Sequence, residues 1–301
     1  MSANVEVAGA VDNPGWRDWG SAEACDWITV PEASDDKYSR GVLGIVTGSD
    51  LYPGAAVLGV EAAVRTGVGM VRYRGPARAT DLVLQRRPEA VTAAGRVQAW
   101  LIGSGMDAAA RSDDDDIRLR TALADAVPLV VDAGALDLVG SAAGPVVITP
   151  HFRELATVLS ASGVQRPDPA VSIAEAIAAD PAHWCARASQ ELGATVLLKG
   201  HTTYIASPHG TRLRVTAGPA WLATAGSGDV LGGMLGALVA THADAIAADE
   251  STLARLAATA AYVHGRAGER ASGGGPIAAL DIAEAVPAIV VELLTARERE
   301  H

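Results

Sequence analysis

Apolar positions fall into two rhythms along the chain: short unbroken runs, and longer stretches at helical spacing. Val42–Thr47 is a solid apolar run stopped by Gly48, the mark of a strand buried on both faces. Gly54–Thr66 sets Ala55, Leu58 and Ala62 at helical spacing and ends at Gly67. Further strands are predicted at Gly69–Tyr73, Trp100–Ile102, Leu129–Val131 and Val146–Ile148, the last closed by Thr149-Pro150. Helices follow over Phe152–Ser160 and Ile173–Leu192, then a strand over Thr195–Leu198. Thr203–Ala206 and Leu213–Thr216 flank Pro208-His209-Gly210, a hairpin signal. Helices over Val230–Thr241, Ser251–Ala271 and Ile282–Arg297 finish the chain. This alternation predicts an α/β fold whose mostly parallel sheet is covered on both faces, with ligands at the carboxyl ends of its strands.

Residues 1–36 show no sustained period and are expected to form an irregular N-terminal arm before a domain over 37–298. Trp16, Trp19 and Trp27 are expected to pack it onto the main body or a neighbouring subunit. Composition narrows the picture. A chain of 301 residues, 49% hydrophobic, can bury a sizeable core. A net charge of −11 argues against nucleic acid or anionic membrane as a partner. Cys25 and Cys185 are too few for a disulfide framework, which fits a reducing compartment. The first residues lack a basic stretch and an apolar run, and runs such as Val230–Ala240 fall short of the ~20 residues of a membrane span, so a cytoplasmic protein is expected. Asp113–Asp116 reads as a solvated loop or a helix start rather than a metal site, because no His or Cys adjoins it.

Candidate chemistry concentrates where small residues run into a helix. In Ala225-Gly226-Ser227-Gly228-Asp229-Val230 the glycines let backbone N–H groups turn toward a ligand, and the helix N-terminus adds partial positive charge. That makes an anion hole suited to phosphate. Asp229 beside it is either a helix cap or a base that takes a proton from an attacking hydroxyl. Thr149-Pro150-His151-Phe152-Arg153-Glu154 puts His151 at a strand's carboxyl end, though spacing alone favours reading the segment as a helix start. Gly103-Ser104-Gly105 ends another strand. Lys199-Gly200-His201-Thr202-Thr203 is either a polar turn or a nucleotide contact, and Lys199 shares the chain with only one other lysine, Lys37. His264, in an apolar helix, reads as a satisfied core histidine. The P-loop, the Rossmann glycine fingerprint and zinc-type spacings are all absent from the sequence.

The order of these pieces resembles the ADP-dependent NAD(P)H-hydrate dehydratase family of the ribokinase-like superfamily. The resemblance rests on KYSRGVLGIVTGS, YPGAAVLGVEAAVRTGVGMV, LIGSGMD, PLVVDAGAL, VVITPHFRELATVL, GATVLLKGHTTYIASP, LATAGSGDVLGGMLGALVA and AAYVHGRAGE, in the family's order over about residues 37–295. It implies a three-layer α/β/α ribokinase-like fold. It also implies dehydration of hydrated NADH or NADPH, with ADP (or ATP) consumed and Mg²⁺ required. Carried over residue by residue, the hydrated dinucleotide would contact Ala55, Ala56, Gly105, His151 and Asp229. The nucleotide would lie along Lys199, Gly200, His201, Thr202 and Thr203 and at Gly226, Ser227 and Gly228, with Asp229 as the catalytic base. Relatives form homo-oligomers, often tetramers, and often carry a second Asp where this chain has Gly134. No segment resembles the epimerase domain that often precedes this one, so a stand-alone dehydratase is expected. Rival readings are a vitamin or sugar kinase of the same superfamily and a nucleotide-binding protein without catalysis.

Overall fold

The computed structural model describes residues 15–164 and 170–300. Residues 1–14 of the expected arm lie outside them. In chain order the elements are β1 (Arg17–Asp18), α1 (Ser21–Ala24), β2 (Val42–Val46), α2 (Pro53–Thr66), β3 (Met70–Tyr73), α3 (Ala77–Arg86), β4 (Ala99–Ile102), α4 (Asp113–Ala124), β5 (Leu129–Val131), β6 (Val146–Ile148), α5 (Phe152–Ala161), α6 (Ile173–Ala179), α7 (Pro181–Leu192), β7 (Thr195–Leu198), β8 (Thr203–Ala206), β9 (Arg212–Val215), α8 (Ser227–Thr241), α9 (Ala243–Ala248), α10 (Thr252–Ser272) and α11 (Ala279–Glu300). Nine strands form one sheet in the order β1-β9-β8-β7-β6-β5-β4-β2-β3, and β8 alone runs against the rest. Helices cover both faces, as the sequence pattern predicted.

Alternation along each strand builds two cores. Leu43, Ile45, Leu101, Val130, Val147, Leu197 and Ile205 point to one face, packed with residues of α2, α8, α10 and α11. Val42, Val46, Trp100, Ile102, Leu129, Val131, Val196 and Leu198 point to the other, packed with residues of α4, α5 and α7. Gly44 is the exception in β2. A Cβ there would enter the ring of Trp100, whose indole fills that space from the next strand. Helix α8 is buried through most of its length and rich in glycine. Interior glycine costs a helix about 1 kcal/mol each. Here it permits close packing, since a Cβ on Gly233 would collide with the Gly59 carbonyl of α2.

Three elements depart from the sequence reading. The stretch read as one helix over Ile173–Leu192 is two, because Asp180 leaves the helical region (φ −142, ψ 75) and caps α7 through His183 N–H, with Pro181 at its first position. The segment read as an irregular arm contributes β1, and Trp19 is buried with its Nε1 donating to Thr259 Oγ1 at 3.2 Å. Asp113–Asp116 is the helix start that the sequence allowed: it opens α4, where Ser112 caps Asp115 and the acidic first turn suits the helix dipole. Helix α3, which the pattern left unassigned, packs against α2. No helix among the described residues is long and apolar enough to cross a membrane.

Candidate active site

Four neighbouring strands deliver polar side chains to one edge. Ser104 follows β4, Asp132 follows β5, Thr149 follows β6 and Lys199 follows β7. Lys199 Nζ lies 3.0 Å from Asp132 Oδ1 and 3.7 Å from Glu154 Oε2, while Thr149 Oγ1 donates to Asp132 Oδ1 at 2.8 Å. Burial opposes the lysine's charge, but the carboxylates of Asp132 and Glu154 outweigh it and hold its pKa above the ordinary value. The backbone locks this arrangement, since Lys199 N–H donates to the Pro150 carbonyl at 2.9 Å and His151 forms a parallel bridge with Lys199. Ala133, directly after Asp132, sits at φ 43, a conformation few non-glycine residues adopt.

Opposite this row stands the N-terminus of α8. Gly226 adopts φ 87 as its cap residue, which only glycine takes without strain, and Asp229 lies in the first turn. Ser227 N–H is already engaged with the Thr224 carbonyl at 3.3 Å, so among the described residues the Gly228 and Asp229 N–H groups are the unbonded donors of that turn. Lys199 Nζ would stand 3.6 Å from a Cβ on Gly228, so the ammonium faces the same turn. Asp229 is half-buried and its Oδ1 accepts a hydrogen bond from Ser104 Oγ. Burial raises its pKa, helped by the nearby Asp132 charge and opposed by Ser104 and Lys199. A carboxylate shifted in this way is a stronger base than an exposed aspartate.

A pocket of about 730 Å³ opens on the β7–β8 side of this centre. Lys199, Gly200, His201, Thr203, Ser227 and Gly228 line it, six of the residues expected to hold nucleotide. Thr202 turns instead to Thr216 Oγ1, 3.2 Å away. His151, expected on the hydrated-cofactor side, also lines this pocket; it is exposed, caps α5 by accepting from Glu154 N–H at 3.2 Å, and its own N–H donates to Glu154 Oε2 at 2.7 Å. Ala55 and Gly105 meet across the other flank, where a Cβ on Gly105 would collide with Ala55 Cβ. The side chain of Ala56 is fully buried under Gly48, so it shapes the turn from beneath. Gly134 approaches the Met106 backbone too closely to admit a Cβ.

Sequence reasoning missed Ser104, Asp132 and Glu154 as members of the site. Their common signal was position, the first polar residue after a buried strand or in the first turn of the helix after one. His264 is buried as expected, yet its Nε2 contacts Ser227 Oγ at 3.1 Å and its ring lines the same 730 Å³ pocket. Burial holds its pKa down at about 4, so it is neutral. Among the described residues no group of three or more His, Cys, Asp or Glu side chains could hold a metal. A magnesium ion entering with a nucleotide would take its ligands mainly from phosphate and water, since Asp132 and Glu154 already pair with Lys199.

Comparison with known proteins completes the picture. The NAD(P)H-hydrate dehydratase family profile matches residues 43–287. The bifunctional NAD(P)H-hydrate repair enzyme Nnr of Mycobacterium leprae is 41% identical over 261 residues, covering 82% of this chain and 49% of that protein. The chain thus spans about half the length of the first curated relatives it matches. The ADP-dependent (S)-NAD(P)H-hydrate dehydratase of Neisseria meningitidis serogroup B is 32% identical over 252 residues, covering 77% and 78%. The solved ADP/ATP-dependent NAD(P)H-hydrate dehydratase of Bacillus subtilis, co-crystallised with ATP and Mg²⁺, shares the fold at a TM-score of 0.78 and 22% identity, covering 93% of this chain and all of that one. With a family profile matched over residues 43–287 and a 32% identical relative covered to 78%, the chain belongs to the NAD(P)H-hydrate dehydratase family.

Proposed function

We propose that this chain is a carbon–oxygen lyase that returns hydrated NADH or NADPH to the normal cofactor while ADP is cleaved to AMP and phosphate. The observation that carries the reading is Asp229, a base strengthened by burial, set beside unbonded N–H donors and Lys199 at the mouth of a nucleotide-sized pocket. Asp229 takes the proton from the C6 hydroxyl of the hydrated nicotinamide, and that oxygen attacks the β-phosphorus of ADP. The bond from β-phosphorus to the bridging oxygen breaks and AMP leaves. The Gly228 and Asp229 N–H groups and the Lys199 ammonium hold the developing phosphate charge. Magnesium, when bound with the nucleotide, neutralises part of that charge. The ring nitrogen's lone pair then expels phosphate from C6, and loss of a C5 proton restores the double bond. Phosphate leaves far more readily than hydroxide, which is why a nucleotide is spent on a dehydration.

Supporting this reading are the family membership and the ADP-dependent activity named for the Neisseria relative. The working form is proposed as a cytoplasmic homo-oligomer, which light scattering checks. The functional test mixes protein, Mg²⁺ and hydrated NADH with ADP or ATP and follows dihydronicotinamide absorbance. Recovery only with nucleotide is expected. Nucleotide consumption without recovery would instead favour a small-molecule kinase.

A further inference from the structure

Strand β4 runs into Gly103-Ser104-Gly105, a turn that offers the site a single side chain. Gly103 (φ 94) and Gly105 (φ 68) both hold positive φ. A Cβ on Gly103 would collide with the Asp132 carbonyl, and one on Gly105 with Ala55. Both flanks are thus reserved for glycine, and the backbone between them is pinned. Gly103 N–H donates to the Val46 carbonyl at 2.9 Å, and the Ser104 carbonyl accepts from Gly48 N–H at 2.7 Å. Ser104 is 1% exposed, too deep for its hydroxyl to touch a ligand or to relay a proton from one. Among the described residues that hydroxyl has one partner, Asp229 Oδ1.

The two oxygens of Asp229 are therefore unlike. Oδ1 accepts from Ser104, whereas Oδ2 accepts no hydrogen bond among the described residues. Oδ2 lies toward the cap of α8, where a Cβ on Gly226 would stand 3.8 Å from it. The charges that face the carboxylate are Asp132 after β5 and Lys199 after β7. Neither makes an ion pair or hydrogen bond with it, since Lys199 is spent on Asp132 and Glu154. The torsion that turns an aspartate carboxylate is soft, so without a fixed donor its two oxygens exchange places.

Resting on the dehydratase reading, we propose that Ser104 is a positioning residue: its hydroxyl holds Asp229 by Oδ1 and leaves Oδ2 as the oxygen that takes the proton from the C6 hydroxyl of the hydrated cofactor. The serine keeps its own proton throughout, and the substrate proton ends on Oδ2. A donor on Oδ1 also favours the charged carboxylate, so Ser104 tempers the basicity that burial confers.

The test follows kcat/KM against pH for the native protein and Ser104→Ala. The acid limb should move to higher pH in the variant, because a donor to the charged form is lost, and kcat on the plateau should fall about tenfold or more. KM for ADP should stay within about twofold of native. Ser104→Cys, of similar shape but a weaker donor, should lie between the two in both readouts, and it carries the comparison if the alanine variant fails to fold. A folded variant with native limb and native kcat overturns the proposal. So does a lower kcat with the limb unmoved, because disturbed packing alone would give that. A native protein that recovers no dihydronicotinamide from hydrated NADH removes the dehydratase reading itself, and this role with it.

Discussion

Two carboxylates, one on α2 and one at the start of α8, show what separates an ion pair from a base. Glu61, inside α2, has a fully buried side chain ringed by Arg65 Nε at 2.5 Å, Arg86 Nε at 3.2 Å and Arg87 Nη2 at 2.6 Å. Burial pushes its pKa up, but three guanidiniums overwhelm that push and hold it at about 2. Asp229 is less buried, receives one hydroxyl from Ser104 and feels Lys199 only at a distance, so burial wins and its pKa rises. The saturated carboxylate is a strut. The undersupplied one retains free energy to release when it takes a proton.

The sharpest way to break the contrast is at Asp229. Asn keeps its size and the contact with Ser104 but accepts no proton. Asp229→Asn should lower kcat by roughly 10²–10⁴-fold with ADP affinity intact. The native acid limb of kcat/KM against pH should lie above the ordinary aspartate range and vanish from the residual activity of the variant. Because the raised pKa means the charged form is disfavoured by folding, removing that charge should leave the melting temperature steady or slightly higher. A variant that melts early would make Asp229 a structural cap.

Glu61 should behave the other way round. A folded pKa of about 2 against an ordinary 4.5 corresponds to roughly 3 kcal/mol, present above pH 4.5 and lost as pH falls toward 2. Glu61→Gln should therefore cost at most about 3 kcal/mol at neutral pH, since the arginines left behind are 21–37% exposed and can hydrate. Urea unfolding at pH 7 and pH 3 checks this. The difference between native and variant should shrink at the lower pH, while kcat of folded variant stays near native.

Lys199 shares features of both, being paired like a strut and facing the anion turn. Lys199→Ala should weaken ADP binding about tenfold or more by calorimetry, with hydrated-cofactor binding nearly intact. Unchanged ADP affinity would confine Lys199 to holding Asp132. The smallest effect is expected at exposed His151. His151→Ala should raise KM for the hydrated cofactor about threefold to tenfold and cost about 1 kcal/mol through the lost cap of α5. A larger rise in KM for ADP would assign it to the nucleotide pocket it lines.

By itself, the sequence determined the parts whose cause is local. Apolar runs such as Val42–Val46 form strands because both faces must leave water, and the small residues ahead of Val230 form a capped helix start because only glycine turns there without strain. Asp229 was legible for the same reason, since its place in the first turn needs no knowledge of the rest of the molecule. The break at Asp180-Pro181 was equally local, although helical periodicity masked it. Tertiary structure alone decided which polar residues meet. Ser104 reaches Asp229 across 125 positions and Lys199 reaches Asp132 across 67, because sheet order places β4, β5, β6 and β7 side by side. It also decided that Glu61 is saturated with arginine while Asp229 is not. No period or motif encodes that difference, because a carboxylate's pKa depends on what packs around it, and here α3 brings Arg86 and Arg87 to Glu61 while the ends of β4 and β7 bring Ser104 and Lys199 to Asp229.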